Sequence, residues 1–321
     1  MMKLRLVIPF ALIAYVLNSF GAEPFPKKPL RIIVPVAPGA TNDFLARSLA
    51  LELGAALGQT VIVENKPGGN QVIGTAELAK AAPDGHTMAM LISSHVINPY
   101  VTKNLPYDSE KDFIPLAMVG IMPGLLTVHP SVPAKTFNEL IVYAKANPGA
   151  LAYGQPGGLS SGHLTMEYLK KQAGIEILSV PYKGGGPALN DLLAGNFQVF
   201  INSPTATMPY VKSGNLRALA TTGSKRPSAL MDLPTIAESG YPNVVTYEWY
   251  ALFLPAKTPA SIVNLLNDKI VKIMAGPNMR SRLEGIGAET RDDNPAQFAK
   301  FINSESQVWG ERIKVLGIKP E

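Results

Sequence analysis

The chain has 321 residues, 46% of them hydrophobic and 17% charged, which provides enough apolar side chains for a buried core and excludes a disordered chain. It contains no cysteine, so disulfides, thiol nucleophiles and cysteine-ligated metal sites are excluded. The formal charge is +5, but the basic residues occur singly or in pairs and form no stripe with aromatic side chains, so we expect no nucleic-acid partner. A prior of about 150 residues per domain predicts two domains.

Residues 1–22 have the order of a secretory signal peptide. Two basic residues precede an apolar run from Leu6 to Leu17, and small residues follow it. The apolar run is shorter than the roughly 20 residues that a membrane-spanning helix needs. We therefore expect an exported chain, cleaved near Gly21 or Ala22.

The first part of the mature chain alternates short β-branched runs with apolar residues at helical spacing. In chain order we predict a strand at 30–36, a helix at 43–57, a strand at 61–65, a helix at 73–82 and a strand at 87–92. This order predicts a parallel sheet with right-handed crossovers.

The same rhythm restarts in the middle of the chain. We predict strands at 150–153, 177–181, 199–202 and 218–221, with helices at 163–172 and 187–194 between them. Two C-terminal helices follow at 259–274 and 295–316. The sequence therefore predicts two α/β units, although no internal repeat relates one to the other.

Glycine, serine and threonine concentrate in the loops that follow these strands. The loops in question are 38–42, 67–71, 93–95, 154–162 and 183–186. Open α/β sheets bind ligands at the carboxyl ends of their strands, and unpaired N–H groups at helix N-termini favour anions. Such loops are also ordinary connectors, but five of them together predict a site for a small anion.

One stretch matches a catalytic motif. Gly158-Leu159-Ser160-Ser161-Gly162 fits the G-x-S-x-G nucleophile elbow of serine hydrolases. Such a hydrolase needs a histidine later in the chain, yet the last histidine is His163, in the helix that the motif itself begins. A serine hydrolase stays a distant alternative, and we expect no enzyme. The four histidines also lack metal-ligand spacing, so we predict no metal and no cofactor.

Asp43 is predicted near the start of the first helix, where two roles remain open. It could cap the helix or pair with Arg47 one turn later. It could instead contact a ligand, directly or through water.

Several stretches, taken together, resemble the substrate-binding proteins of tripartite tricarboxylate transporters, called the Bug family. The resemblance runs through nearly the whole mature chain in a fixed order of short motifs. They are Val34–Asp43 with Ala46-Arg47, Val63–Gly68, Pro83–Thr87, Asn98-Pro99, Leu105–Asp108, Asp112-Phe113, Tyr153-Gly154, Ser160–Leu164, Val180–Gly184, Arg217–Ala220, Lys225-Arg226, Leu233–Thr235, Glu238–Gly240 and Trp249.

The resemblance implies a type II-like periplasmic binding protein of α/β class. Two lobes, each a mainly parallel sheet flanked by helices, would close like a hinge on a ligand in the cleft between them. It implies a first lobe of 23–120 plus 248–321 and a second lobe of 121–247, with crossovers around Val119–Leu126 and Trp249–Phe253. The expected ligand is a small di- or tricarboxylate or related organic acid, gripped by backbone amides and ordered water.

We expect a monomer in the periplasm that delivers its ligand to the membrane subunits of a tripartite tricarboxylate-type transporter. A sensor that presents its bound form to a membrane receptor is the alternative. The candidate ligand-binding residues come from the loops above and from the resemblance. They are Pro38, Gly39, Ala40, Thr41, Asn42, Asp43, Gly69, Asn70, Ser93, Ser94, His95, Gln155, Gly157, Leu159, Ser160, Ser161, His163, Tyr182 and Asn202.

Some positions depart from the family's usual pattern. Val36 and Ala40 replace a common aromatic and glycine, and Gln155 and Leu159 replace a usual serine and glycine. Asn70 adds a side-chain amide to a loop in which the family usually has small residues. These changes predict a preference for a different or smaller carboxylate than a plain dicarboxylate binder takes.

Overall fold

The computed structural model describes residues 25–155 and 158–320. The predicted signal peptide and the candidate ligand residue Gly157 lie outside the described residues. No helix within the described ranges combines the length and the apolar character needed to cross a membrane.

The described residues form strands and helices that mostly alternate along the chain. The strands are β1 (Leu30–Val34), β2 (Val61–Asn65), β3 (Thr87–Ile92), β4 (Phe113–Pro123), β5 (Leu125–Val128), β6 (Ala152–Gln155), β7 (Leu178–Pro181), β8 (Val199–Asn202), β9 (Arg217–Thr221) and β10 (Tyr247–Pro255). The helices are α1 (Thr41–Leu57), α2 (Val72–Ala79), α3 (Ser94–Val101), α4 (Phe137–Ala146), α5 (Ser161–Ala173), α6 (Gly185–Leu193), α7 (Pro204–Lys212), α8 (Ala260–Ala275), α9 (Pro277–Gly285) and α10 (Pro295–Leu316). A short 3-10 turn spans Ser228–Leu230.

The first lobe is built on a sheet with strand order β2-β1-β3-β10-β4. The βαβαβ segment supplies β1, β2 and β3 in parallel, as predicted. β10 enters between β3 and β4 and runs antiparallel to both. Helices α1 and α8 pack on one side of this sheet, and α3 and α10 pack on the other.

The second lobe is built on a sheet with strand order β7-β6-β8-β5-β9. β6 pairs in parallel with β7 and β8, while β5 runs antiparallel to β8 and β9. Each sheet therefore has one strand against the direction of the other four. The predicted fold, two α/β lobes with mainly parallel sheets, is confirmed as two mixed sheets flanked by helices.

The chain passes between the sheets at two adjacent places. β4 ends at Pro123 and β5 begins at Leu125, so Gly124 alone separates a strand of one sheet from a strand of the other. The chain returns to the first sheet through the segment from Thr221, at the end of β9, to Tyr247, at the start of β10. The two passages are hydrogen bonded, because Gly124 N donates to Thr222 Oγ1 at 2.8 Å and Thr222 N donates to Gly124 O at 2.9 Å.

Local sequence explains where the principal helices begin and end. α1 ends at Gly58, whose φ of 64° is the left-handed conformation that glycine adopts without a Cβ clash. α10 begins with a capping box, in which Asn294 and Gln297 each accept a backbone N–H of the other. Apolar side chains of the strands and helices fill the space between them, including the buried Trp249 of β10 and Trp309 of α10.

Candidate functional site

β10 presents alternate side chains to opposite sides of the first sheet. Trp249 and Phe253 point into the core that the sheet forms with α3 and α10. Because side chains alternate along a strand, Glu248 and Tyr250 lie on the opposite side of the sheet, where Tyr250 joins the apolar cluster of α1 and α8 and Glu248 contacts Ser161 of the second lobe. We call this side, with the helix starts around it, the interlobe face.

Four helices begin around the interlobe face, two from each lobe. Ser93 before α3 and Ser161 at the start of α5 both donate hydrogen bonds to the carboxylate of Glu248. The hydroxyl groups of Thr41 at the start of α1 and Ser203 before α7 lie beside the hydroxyl of Tyr250. Helix N-termini carry unpaired N–H groups and a partial positive charge, so their convergence creates a site that favours an anion.

Glu248 connects the two lobes at the centre of this face. Its Oε1 accepts the backbone N–H of Ser93 at 3.0 Å and the Ser93 hydroxyl at 2.7 Å. Its Oε2 accepts the Ser161 hydroxyl at 2.5 Å. Burial raises the pKa of Glu248, and the hydrogen bonds from Ser161 and Ser93 offset only part of that rise.

Tyr250 lies two residues further along the same face and is 4% exposed. Burial and the neighbouring Glu248 carboxylate raise the pKa of Tyr250, so its hydroxyl remains a neutral donor. Ser203 caps α7 by accepting the backbone N–H of Thr205 at 3.2 Å. The Tyr250 side of the face is therefore polar and carries no charge of its own.

The loop before α1 holds its shape through Asp43. The carboxylate accepts the backbone N–H of Gly39 at 3.0 Å, the Asn65 amide at 2.9 Å and the guanidinium of Arg47 at 3.0 Å. Burial works to raise the pKa of Asp43, but the hydrogen bonds from Arg47, Gly39 and Asn65 lower it overall. Asp43 is thus turned into the first lobe, where it fixes the turn that leaves the α1 N-terminus open.

The corresponding loop of the second lobe is held by two contacts to one carbonyl. The oxygen of Gly158 accepts the Gln155 amide at 2.7 Å and lies 3.1 Å from His163 Nδ1. Burial lowers the pKa of His163, which keeps the ring neutral near pH 7. Leu159 leaves this loop and packs against the apolar cluster of the first lobe that contains Trp249.

Among the described residues, three buried polar groups near these helix starts have no hydrogen-bond partner. They are Nδ2 of Asn42 in the first turn of α1, Oγ of Ser94 in the first turn of α3, and Oγ of Ser160 before α5. A buried polar group without a partner is costly, about 1–3 kcal/mol each. These groups are available to a bound ligand or to ordered water.

A cavity of about 820 Å³ lies between the lobes. Its walls include Gly69 and Asn70 from the first lobe, Gln155, Leu159 and His163 from the second lobe, and residues 316–319 after α10. Asn70 is fixed there by its amide, which donates to Asn98 Oδ1 at 2.7 Å. Its lining does not include Glu248, Tyr250, Ser93 or Ser161, so this cavity lies beside the interlobe face and not on it.

Two candidate residues point away from the space between the lobes. His95 is 2% exposed and packs among Tyr107, Phe113 and Phe253 in the first lobe. The Tyr182 hydroxyl donates to Asp191 at 2.7 Å, within the second lobe. The other described candidates lie on the loops or at the helix starts named above, with Asn202 at the end of β8 accepting the backbone N–H of Ser203.

The nucleophile-elbow alternative gains no support from the geometry. The Ser161 hydroxyl donates to Glu248, and the Ser160 hydroxyl has no partner, so neither serine is hydrogen bonded to a histidine. His163 directs its ring nitrogen to the Gly158 carbonyl instead. Within residues 25–155 and 158–320, no three acidic or histidine side chains cluster as metal ligands would.

The sequence reasoning did not identify Glu248, Tyr250 or Ser203. A charged residue within the otherwise apolar run 247–255 is a usable signal for Glu248, since buried strands rarely carry an unpaired charge. Ser203 directly before Pro204 is a helix-start signal that followed a predicted strand.

Comparison with known proteins gives a consistent set of relatives. Residues 45–318 match the family described as "Tripartite tricarboxylate transporter family receptor". Protein BugT of Bordetella pertussis is 36% identical over 301 residues, which cover 93% of this chain and 92% of that protein. A protein of Pseudomonas sp. strain P51, described as "UPF0065 protein in tcbD-tcbE intergenic region", is 33% identical over 292 residues, covering 91% of this chain and 87% of that protein.

Solved structures agree with this set. Rpa4515 of R. palustris, solved with adipate, has a TM-score of 0.86 at 33% identity and covers 93% of this chain and 100% of its own. The periplasmic binding protein BugD has a TM-score of 0.83 at 32% identity, with 92% and 100% covered. MatC of Rhodopseudomonas palustris, solved with malate, has a TM-score of 0.81 at 28% identity, with 90% and 100% covered.

Proposed function

Because this chain belongs to the tripartite tricarboxylate transporter receptor family of solute-binding proteins, we propose that it captures a small carboxylate between its lobes for uptake by such a transporter. One observation carries the proposal. Four helix N-termini, two from each lobe, converge on the interlobe face formed by β10.

The physical argument is that an anion is held there without a buried cation. Glu248 already accepts hydrogen bonds at the starts of α3 and α5, and the remaining N–H groups, helix dipoles and hydroxyls of the four starts favour the negative charge of a ligand. Asn42, Ser94 and Ser160 add polar groups that lack partners in the described part of the chain. Hydrogen bonds to a charged group contribute about 1.5–3 kcal/mol each, so a few of them hold a carboxylate firmly.

The ligands of the relatives indicate the chemical class. Adipate and malate, bound in Rpa4515 and MatC, are both carboxylates. We extend that class to this chain. We also propose that residues 1–22 direct export to the periplasm, and that the loaded protein delivers its ligand to the transporter's membrane subunits.

Native mass spectrometry of protein purified without stripping its ligand tests the proposal directly. We expect a retained organic acid, which calorimetry then confirms against di-, tri- and monocarboxylates. Saturating ligand should also stabilise the fold, by about 2.7 kcal/mol at a hundredfold excess over Kd. A protein that binds none of these acids and retains a neutral or cationic molecule would refute carboxylate capture.

Two variants at the site sharpen the test. Thr41→Val and Ser160→Ala should weaken carboxylate binding by about 10-fold each, without lowering the melting temperature of the ligand-free protein. Ser213→Ala, which removes an exposed hydroxyl after α7, is the matched control and should leave both unchanged. Unchanged affinity with a large loss of ligand-free stability would mean that Thr41 and Ser160 serve the fold alone.

A further inference from the structure

We propose that Glu248 determines ligand specificity: it selects a carboxylate whose other end carries a hydrogen-bond donor, such as an ammonium or hydroxyl group, and disfavours a second carboxylate at that end. The inference rests on the proposed function, because it concerns the same interlobe face. The helix starts by themselves favour any carboxylate. Discrimination between one acid and another would come from Glu248 on β10.

The first support is the position of the carboxylate. Glu248 accepts hydrogen bonds from Ser93 of the first lobe and Ser161 of the second, so it lies where a ligand between the lobes would lie. It shares its face of β10 with Tyr250, beside which the α1 and α7 starts lie. A ligand on this face therefore meets both a negative charge and a neutral anion-binding region.

The second support is the number of acceptor positions on the carboxylate. An ionised carboxylate offers about four lone-pair positions on its two oxygens. Within residues 25–155 and 158–320, Oε1 accepts two bonds from Ser93, whereas Oε2 accepts one, from Ser161. One position on Oε2 remains, and only a donor can occupy it favourably.

The third support is the absence of a compensating cation. Burial and hydrogen bonds from Ser161 and Ser93 account for the shift in the pKa of Glu248, with no contribution from a basic side chain among the described residues. Its charge instead reaches Tyr250 and Glu305, and it raises the pKa of both.

Three basic groups on the surrounding elements are engaged with other partners. Arg47 on α1 pairs with Asp43, and Lys170 on α5 pairs with Glu167. Arg312 on α10 donates to backbone carbonyls in the segment before β10. A second ligand carboxylate near Glu248 would therefore meet like charge without neutralisation, whereas an ammonium would supply the missing cation.

These facts also orient the ligand. Its carboxylate would lie toward the starts of α1 and α7 beside Tyr250, where Asn42 has an unpartnered amide nitrogen. Its donor end would lie against Oε2 of Glu248. An ω-amino or ω-hydroxy acid satisfies both ends, and a dicarboxylate of equal length satisfies one.

Calorimetry with length-matched acids tests the inference. The probes are succinate against 4-aminobutanoate, and adipate against 6-aminohexanoate and 6-hydroxyhexanoate. In the unmodified protein we expect at least a tenfold preference for the donor-bearing acid of the length that fits. In Glu248→Gln the preference should shift by at least tenfold toward the diacid, because the amide keeps the shape and removes the charge.

Glu311→Gln is the matched control, since it removes the same charge from the exposed side of α10 and should leave the preference unchanged. A diacid preference in the unmodified protein that is the same in Glu248→Gln would overturn the specificity role while leaving carboxylate capture intact. Failure of all these acids, together with a retained ligand that is not an acid, would overturn the proposed function itself. The preference of the unmodified protein is measured without any variant, so the inference is tested even if Glu248→Gln folds poorly.

Discussion

His95 is expected to make the stability of this protein depend on acidity. Its ring is enclosed by Tyr107, Phe113 and Phe253, with centroid distances of 6.5, 5.1 and 4.8 Å. Burial among these rings lowers the pKa of His95 from 6.5 to about 4. A backbone group of Ser109 lies near the ring and opposes this shift, but neither ring nitrogen completes a hydrogen bond.

The sign follows from comparing proton binding in the two states. Between pH 6.5 and about 4 the unfolded chain holds a proton on His95 that the folded protein does not, so the free energy of unfolding falls as pH falls through this window. One pKa unit corresponds to 1.36 kcal/mol, which gives a loss of about 3 kcal/mol between pH 7.5 and pH 4. His95→Leu keeps an apolar side chain in the cluster and removes this loss.

Urea unfolding at pH 7.5, 6, 5 and 4 measures the effect. The stability difference between His95→Leu and the unmodified protein should shift by about 3 kcal/mol in favour of the variant across this range. His129→Gln, at a surface histidine hydrogen bonded to Ser131, is the control and should follow the unmodified protein. Parallel stability curves for His95→Leu and the unmodified protein would refute a neutral, desolvated His95.

Three further predictions concern other parts of the fold. Burial raises the pKa of Glu305 to about 6, so this group destabilises the fold as pH rises from 4.5 to about 6; Glu305→Gln should remove that decline, about 2 kcal/mol, in the same urea series. Leu159→Gly should remove an apolar contact between the lobes, weaken ligand binding about 5- to 10-fold and shift the ligand-free protein toward an open form in small-angle scattering, whereas an unchanged profile and affinity would contradict it. Gly154→Ala should lower the melting temperature, with a cost of about 1–3 kcal/mol or more, because a Cβ there would lie 2.3 Å from the buried Phe197 ring, and Gly186→Ala, with no atom within 4 Å, should not.

Much of the fold could be predicted because the short β-branched strands and the helical spacing are local signals. Several of the elements that were missed contain prolines. β4 contains Pro115 and Pro123, which its place at the edge of the first sheet tolerates. α3 contains Pro99, and α7 contains Pro204 and Pro209, residues that indicate loops in a sequence read by itself.

In the candidate site, too, the local features could be predicted from the sequence and the tertiary contacts could not. The sequence predicts which loops lie at the strand ends, and the structure places the starts of α1, α3 and α5 around one face. The orientation of single side chains depends on tertiary contacts, so Asp43 turned out to bind its own loop and His95 to belong to the core. The role of Glu248 could not be predicted from a local sequence pattern. It depends on contacts with Ser93 and Ser161, which are distant from Glu248 in the sequence.

The paired passages between the sheets define how the molecule can move. Gly124 and Thr222 bond to one another, so the two connections act as a single narrow joint. A joint of this kind absorbs its dihedral changes in a few residues and lets two rigid bodies turn about one axis. Glu248 lies one residue beyond the start of β10, close along the chain to this joint, so we expect a small closure there to become a long arc at the far ends of the lobes. A membrane partner that touches both far ends would thus sense occupancy as a change in the spacing of its two contact points.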